Sequence, residues 1–326
     1  MSQYPNIPIS SLLLNVIYMN ILEHTKQLCA KHNIVPARSK GQNFLIREYI
    51  YEKIIAAADL KSDDVILEVG SGLGFLTEML ARKVKQVIAV EVDDKLAGAL
   101  QMRLEKEGIE NVSIVNENIL KISNVKFQMS NQIPNPNVQK KIPDTKYQIL
   151  NTSYKVVANL PYNITSRFLR KFLSEVENKP SEMTLMLQKE VAERICARAG
   201  QMSLLAVSAQ FYAAPKIIAR VPADAFWPKP KVESAIVHLS RLRHPLLSKE
   251  RGRGEVDEKF FKLVRIGFSA KRKQLQGNLT KGLKIKTEII KKILADCGLA
   301  ETARAQELSL DDWRNLYFAL DSRNML

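Results

Sequence analysis

At 326 residues and 46% hydrophobic content, the chain can hold one large domain and a small one around a well-filled core. Lys and Arg outnumber Asp and Glu by 49 to 34, a formal charge of +15, so the surface suits a polyanion: nucleic acid most simply, membrane headgroups as the rival. Cys29, Cys196 and Cys297 stand at wide, unrelated spacings that make neither a zinc pattern nor a disulfide framework, which fits three buried thiols in a reducing cytoplasm.

In chain order, the apolar stretch Ile9–Leu22 is too short to span a bilayer and has no preceding Lys or Arg and no cleavage site. It reads either as a helical extension packing on the body or as a start upstream of the one used. Glu48–Asp59 carries a helical face of Ile50, Ile54, Ile55 and Ala58. Strands follow at 65–70, 86–92 and 112–115, with helices near 75–83 and 94–107 between them. The stretch 121–150 breaks this rhythm with Pro134, Pro136 and Pro143 and reads as an inserted surface loop. Its Lys126, Lys140, Lys141 and Lys146 read as solvated charges, with contact to RNA as the alternative. A fourth strand covers 155–158, a helix runs from Asn163 to about Val176, and 183–188 is another buried strand. Lys189–Arg198 is helical, and Ile217–Val221 with Ser234–Leu239 forms a closing antiparallel hairpin. From about 256 the chain is helical, with one stripe of Phe260, Phe261, Val264 and Phe268 and another of Ile285, Ile289, Ile290 and Ile293. Strand alternating with helix implies a parallel sheet whose ligands lie at the carboxyl ends of the strands.

Two segments carry chemistry. Val65–Gly74 is a strand running into Glu68-x-Gly70-x-Gly72-x-Gly74 and then a helix. Glycine there lets a ligand approach the backbone. The dinucleotide fingerprint would need glycine where Phe75 stands, so the spacing fits S-adenosylmethionine better than NAD. Glu91 ends the next strand about 20 residues after the first glycine, where a ribose-binding carboxylate belongs. The second segment is Asn159-Leu160-Pro161-Tyr162, at the end of the apolar run Lys155–Ala158. The Asn159 amide oxygen and the Leu160 carbonyl can both accept from an exocyclic amine, and the Tyr162 ring can stack on the heterocycle that carries it. The plainer alternative is a Pro-fixed turn with Tyr162 packed on the core.

These segments, with Gly41-Gln42-Asn43-Phe44-Leu45, Met186–Arg194, Phe226–Ser234 and Phe268–Lys273 in the same order, resemble the ribosomal RNA adenine N6,N6-dimethyltransferases of the kasugamycin-resistance type. The resemblance spans about Arg38 to Leu320. It implies an α/β fold: a Rossmann-like, S-adenosylmethionine-dependent methyltransferase sheet over 38–240, a basic helical RNA-facing domain over 241–326, and an extension over 1–37. It implies cofactor contacts from Asn43, Leu45, Gly70, Gly72, Gly74, Glu91, Asn118 and Asn159, and catalysis by Asn159, Leu160, Pro161 and Tyr162. Asn118 departs from the family, which has Asp there, so the bond to the cofactor adenine is expected to persist but weaken. Lys189, Arg194, Lys229 and Lys231 flank the implied site, and Lys271, Arg272 and Lys273 form a run in the helical domain. For each, a solvated charge is the alternative to a phosphate contact. Between Arg241 and Lys292 there are 16 basic residues against 5 acidic ones.

The implied reaction is dimethylation of two adjacent adenosines in 16S rRNA of the small ribosomal subunit, by a cytoplasmic monomer without metal or membrane. The alternatives are a large-subunit methyltransferase conferring macrolide resistance and a non-catalytic nucleic-acid-binding relative. Leu160 favours the first over the second, and the intact glycine turn disfavours the third.

Overall fold

A computed structural model describes residues 20–37, 41–122, 153–240, 242, 253–270 and 272–326. The stretch 1–19, nearly all of the 121–150 insertion with its lysines, and Lys271 lie outside the described residues. Helix α1 (Ile21–Lys31) starts at Asn20, whose side chain accepts from the Leu22 N–H at 3.1 Å. The chain then makes β1 (Phe44–Leu45), α2 (Glu48–Ala57), β2 (Val65–Val69), α3 (Phe75–Ala81), β3 (Gln86–Val90), α4 (Asp94–Lys106) and β4 (Val112–Val115). After the insertion come β5 (Lys155–Asn159), α5 (Thr165–Arg170) widening into a π-helical turn at Lys171–Glu175, β6 (Glu182–Gln188), α6 (Lys189–Ile195) and α7 (Leu204–Tyr212). Strands β7 (Ala214–Val221), β8 (Phe226–Trp227) and β9 (Ser234–Ser240) precede helices α8 (Arg253–Gly267), α9 (Leu275–Leu283), α10 (Thr287–Asp296) and α11 (Leu310–Asp321).

Seven strands form one sheet in the order β4-β3-β2-β5-β6-β9-β7. The first five run parallel, and β9 is antiparallel to both β6 and β7. The parallel strands are apolar along nearly their whole length because helices cover both faces, and Ile66, Leu67, Val87, Val156, Ala158, Met183 and Leu185 are fully buried. The strand order reverses between β2 and β5, opening a crevice beyond their carboxyl ends. Gly70 and Asn159 stand there.

The expected hairpin is present, with Val221 paired to Ser234. Three elements were not legible. Helix α7, Leu-Leu-Ala-Val-Ser-Ala-Gln-Phe-Tyr, is too uniformly apolar to show a stripe. The two-residue strands β1 and β8 are too short to leave a pattern, yet they pair antiparallel, Phe44 opposite Trp227 and Leu45 opposite Phe226. The C-terminal helices share a core with the sheet. Phe211 of α7 stacks on Phe260 at 4.4 Å between centroids, and the Tyr212 hydroxyl donates to Asp257 at 2.7 Å. The expected boundary near 240 is therefore crossed by continuous packing.

Candidate active site

The cleft at the switch point is lined by Gly41–Leu45, Tyr51, Glu68, Gly70–Leu76, Glu91, Val92, Leu96, Asn159–Tyr162 and Phe226. It thus brings together the glycine turn, its acid and the carboxamide motif, which lie far apart in sequence. Two glycines set the turn. At Gly74, with φ of +82°, an added Cβ would lie 2.3 Å from Leu100 Cδ1, so that methyl would have to shift, and the left-handed backbone itself favours glycine. At Gly70, with φ of +73°, it would lie 3.1 Å from Pro161 Cδ, so the two motifs touch.

Glu91 is buried, and both its oxygens face backbone donors. Oε2 accepts from the Gly72 N–H at 2.9 Å, while Oε1 accepts from Val92 at 2.9 Å and Asp93 at 3.0 Å. Burial raises its pKa, and these three N–H groups oppose the rise by favouring the charged form. Each oxygen keeps lone-pair capacity for a hydroxyl in the cleft. Asn116 supports the strand end by donating to the Glu91 carbonyl at 2.9 Å.

Glu68 was read only as part of the spacing; its burial is visible in the structure alone. It is 2% exposed, and Oε2 has no hydrogen-bond partner, nor do the buried hydroxyls of Ser71 and Thr77. Loss of water from its charged form pushes its pKa up to about 8. An orphaned acceptor against the cleft, beside a glycine cradle and a second carboxylate, fits a ligand that is cationic and carries hydroxyls.

Asn159 is half-buried at the end of β5, and Leu160 is 1% exposed, its N–H donating to Met186 at 3.3 Å. The Tyr162 and Ser234 hydroxyls share a 2.6 Å hydrogen bond. Asn43 and Leu45 line the opposite wall, held by the β1–β8 ladder and by the Ile46 N–H donating to Ala225 at 2.8 Å. Phe226 belongs to both the core and the cleft wall. Gln42 ties this wall to the turn, accepting from Ala37 at 2.8 Å and donating to Asp93 at 3.3 Å.

Asn118 does not line the cleft, and its Oδ1 accepts from the Leu120 N–H at 3.0 Å in a local turn. Arg194, Lys229, Lys231, Arg272 and Lys273 are exposed. Lys189 is engaged with Glu233 at 2.7 Å, a partly exposed pair. Cys29 is buried, whereas Cys196 and Cys297 are half-buried; burial raises all three thiol pKa values. Among the described residues no helix is long and apolar enough to cross a membrane, and no group of three or more His, Cys, Asp or Glu is arranged to hold a metal.

A five-stranded parallel sheet continued by an antiparallel pair, with a glycine turn and a strand-end acid at the switch point, defines a Rossmann-like methyltransferase. The ribosomal RNA adenine dimethylase profile matches residues 36–321, and the chain belongs to that family. It is 40% identical over 297 residues to the ribosomal RNA small subunit methyltransferase A of Dehalococcoides mccartyi, covering 91% of this chain and 92% of that one. With the protein of the same description from Enterococcus faecalis it shares 35% identity, covering 91% and 94%. Among solved structures, the 23S rRNA methyltransferase ErmE superposes with a TM-score of 0.64 at 26% identity, over 86% of this chain and all of that one. A dimethyladenosine transferase from Plasmodium falciparum superposes with a TM-score of 0.67 at 24% identity, over 85% and 97%, and shares the fold.

Proposed function

We propose that the protein transfers methyl groups from S-adenosylmethionine to N6 of two adjacent adenosines in 16S rRNA, within the small ribosomal subunit. The observation that carries this is the single cleft in which Asn159, Leu160 and Tyr162 face the glycine turn and Glu91. Relatives named for small-subunit methylation, 40% identical along nearly the whole chain, support that substrate over the large subunit.

When bound, S-adenosylmethionine supplies an electrophilic methyl on a sulfonium. Gly70, Gly72 and Gly74 would let it approach the backbone, Glu91 would accept from its ribose hydroxyls, and Asn43 and Leu45 would cover it. The Asn159 amide oxygen and Leu160 carbonyl accept from the adenine amino group. These two acceptors would fix the amino group at the end of β5 and favour a more tetrahedral nitrogen as the new bond forms. Tyr162 stacks on the extruded base, a contact worth ~1–3 kcal/mol. No strong base is required, because the amino proton is acidic once the nitrogen is alkylated and leaves to solvent. Arg194, Lys229, Lys231, Arg272 and Lys273 supply phosphate contacts, and the enzyme acts as a cytoplasmic monomer.

The test is incubation with methyl-labelled cofactor and separated, unmethylated ribosomal subunits, followed by nucleoside analysis. Label in N6,N6-dimethyladenosine from small subunits alone is expected. Label confined to large subunits would overturn the substrate assignment, and none in either would overturn the activity.

A further inference from the structure

Tyr162 is fixed at two ends. At its backbone, Pro161 abuts Gly70 and the Pro161 carbonyl accepts from the Ile164 N–H at 3.1 Å. At its tip, the phenol shares a 2.6 Å hydrogen bond with the Ser234 hydroxyl. Ser234 is fully buried and is the first residue of β9, paired with Gln188 on one side and Val221 on the other. Its Oγ is therefore carried on a backbone laddered from both flanks. Burial raises the Tyr162 pKa, so the ring stays a neutral phenol able to donate. A phenol O–H prefers the plane of its ring, because the oxygen conjugates with it. The direction of the Ser234 oxygen therefore selects one ring orientation about Cβ–Cγ.

We propose that Ser234 is a positioning residue for the reacting base: its hydroxyl sets the plane of Tyr162, and that plane sets the height and tilt of the stacked adenine. The inference rests on the assignment of adenine N6 as the acceptor. It bears most on the second transfer. The amino group then already carries a methyl, so fewer base placements leave the nitrogen in line with the donor. A loosely oriented platform slows that step more than the first.

Ser234→Ala, Tyr162→Phe and the double variant are compared with wild type on unmethylated small subunits. Cofactor affinity, particle KM, kcat and the ratio of mono- to dimethyladenosine are read. Losing one ordinary hydrogen bond should lower kcat for the second transfer by about tenfold, leaving cofactor affinity and KM nearly unchanged. Monomethyladenosine should accumulate in both single variants, and the double variant should behave like either one, because both remove the same bond. An unchanged product ratio, or losses that multiply in the double variant, would overturn the proposal. If Ser234→Ala does not fold, Tyr162→Phe removes the bond from its half-buried partner and decides the matter alone. Wild type that leaves small subunits unmethylated would sink the underlying assignment. Wild type that dimethylates, with variants of unaltered ratio, would sink the role of Ser234 only.

Discussion

Burial of Glu68 beneath the glycine turn gives the cleft a carboxyl that holds its proton near neutral pH. Desolvation is the main cause, and the charge of Glu91 adds to it. Tyr51, also facing this region, is kept neutral by its own burial. An acid whose pKa is higher folded than unfolded binds its proton longer in the native state. Its contribution to stability is complete below the usual carboxylate range and is lost as pH rises toward about 8. Each pH unit in that window costs up to about 1.4 kcal/mol. The unliganded wild type should therefore lose thermal stability between slightly acidic and slightly alkaline pH more steeply than Glu68→Gln. Equal slopes in calorimetry would refute this. Nothing in the spacing Glu-x-Gly-x-Gly-x-Gly foretold an unpartnered carboxyl, because burial depends on the strands laid beside it. That the glycine turn and Glu91 would meet at the strand ends was legible, because a sharp strand-to-helix turn and a strand-end acid are local features. The local turn in which the Asn118 oxygen accepts from the Leu120 N–H left no such sign in the sequence.

The site wall depends on two of the smallest elements. Strands β1 and β8 join the Asn43–Leu45 segment to Phe226–Trp227, and the Phe44 and Trp227 rings stack with centroids 6.4 Å apart. Helix α1 adds Cys29 to the same cluster, with Leu73 and Leu96. Trp227→Ala should loosen this wall and weaken cofactor binding by about tenfold, ~1.4 kcal/mol, with the C-terminal helices unaffected. A titration showing unaltered affinity would remove the wall from the cofactor site. Gly74→Ala crowds the Leu100 methyl and puts a side chain on a left-handed backbone, and together these should cost about 1–3 kcal/mol. A variant with an undiminished unfolding midpoint would contradict that packing. The parallel strands could be read from sequence because burial on both faces demands continuous apolar runs such as Val87–Val90. Pairing between two-residue strands 182 positions apart depends on the finished sheet, so no local pattern encoded it.

At the scale of the molecule, the +15 charge needs a polyanion, while the cleft needs a single base drawn into it. The late basic excess was plain in the composition, but the folding of α8–α11 onto α7 was not, because α7 itself left no periodic trace. Neutralising Arg272 and Lys273 should weaken particle binding and reduce its salt slope by about one unit or more, with cofactor affinity untouched. An unchanged slope would mark both as solvated charges. The central claim is that Asn159 stands where donor and base meet, and Asn159→Ala tests it most directly, with cofactor affinity and single-turnover transfer measured on the same preparation. Transfer should fall by at least ~10²-fold, the scale of losing one group aimed at the transition state, while cofactor still binds. Near-normal transfer by that variant would contradict the account.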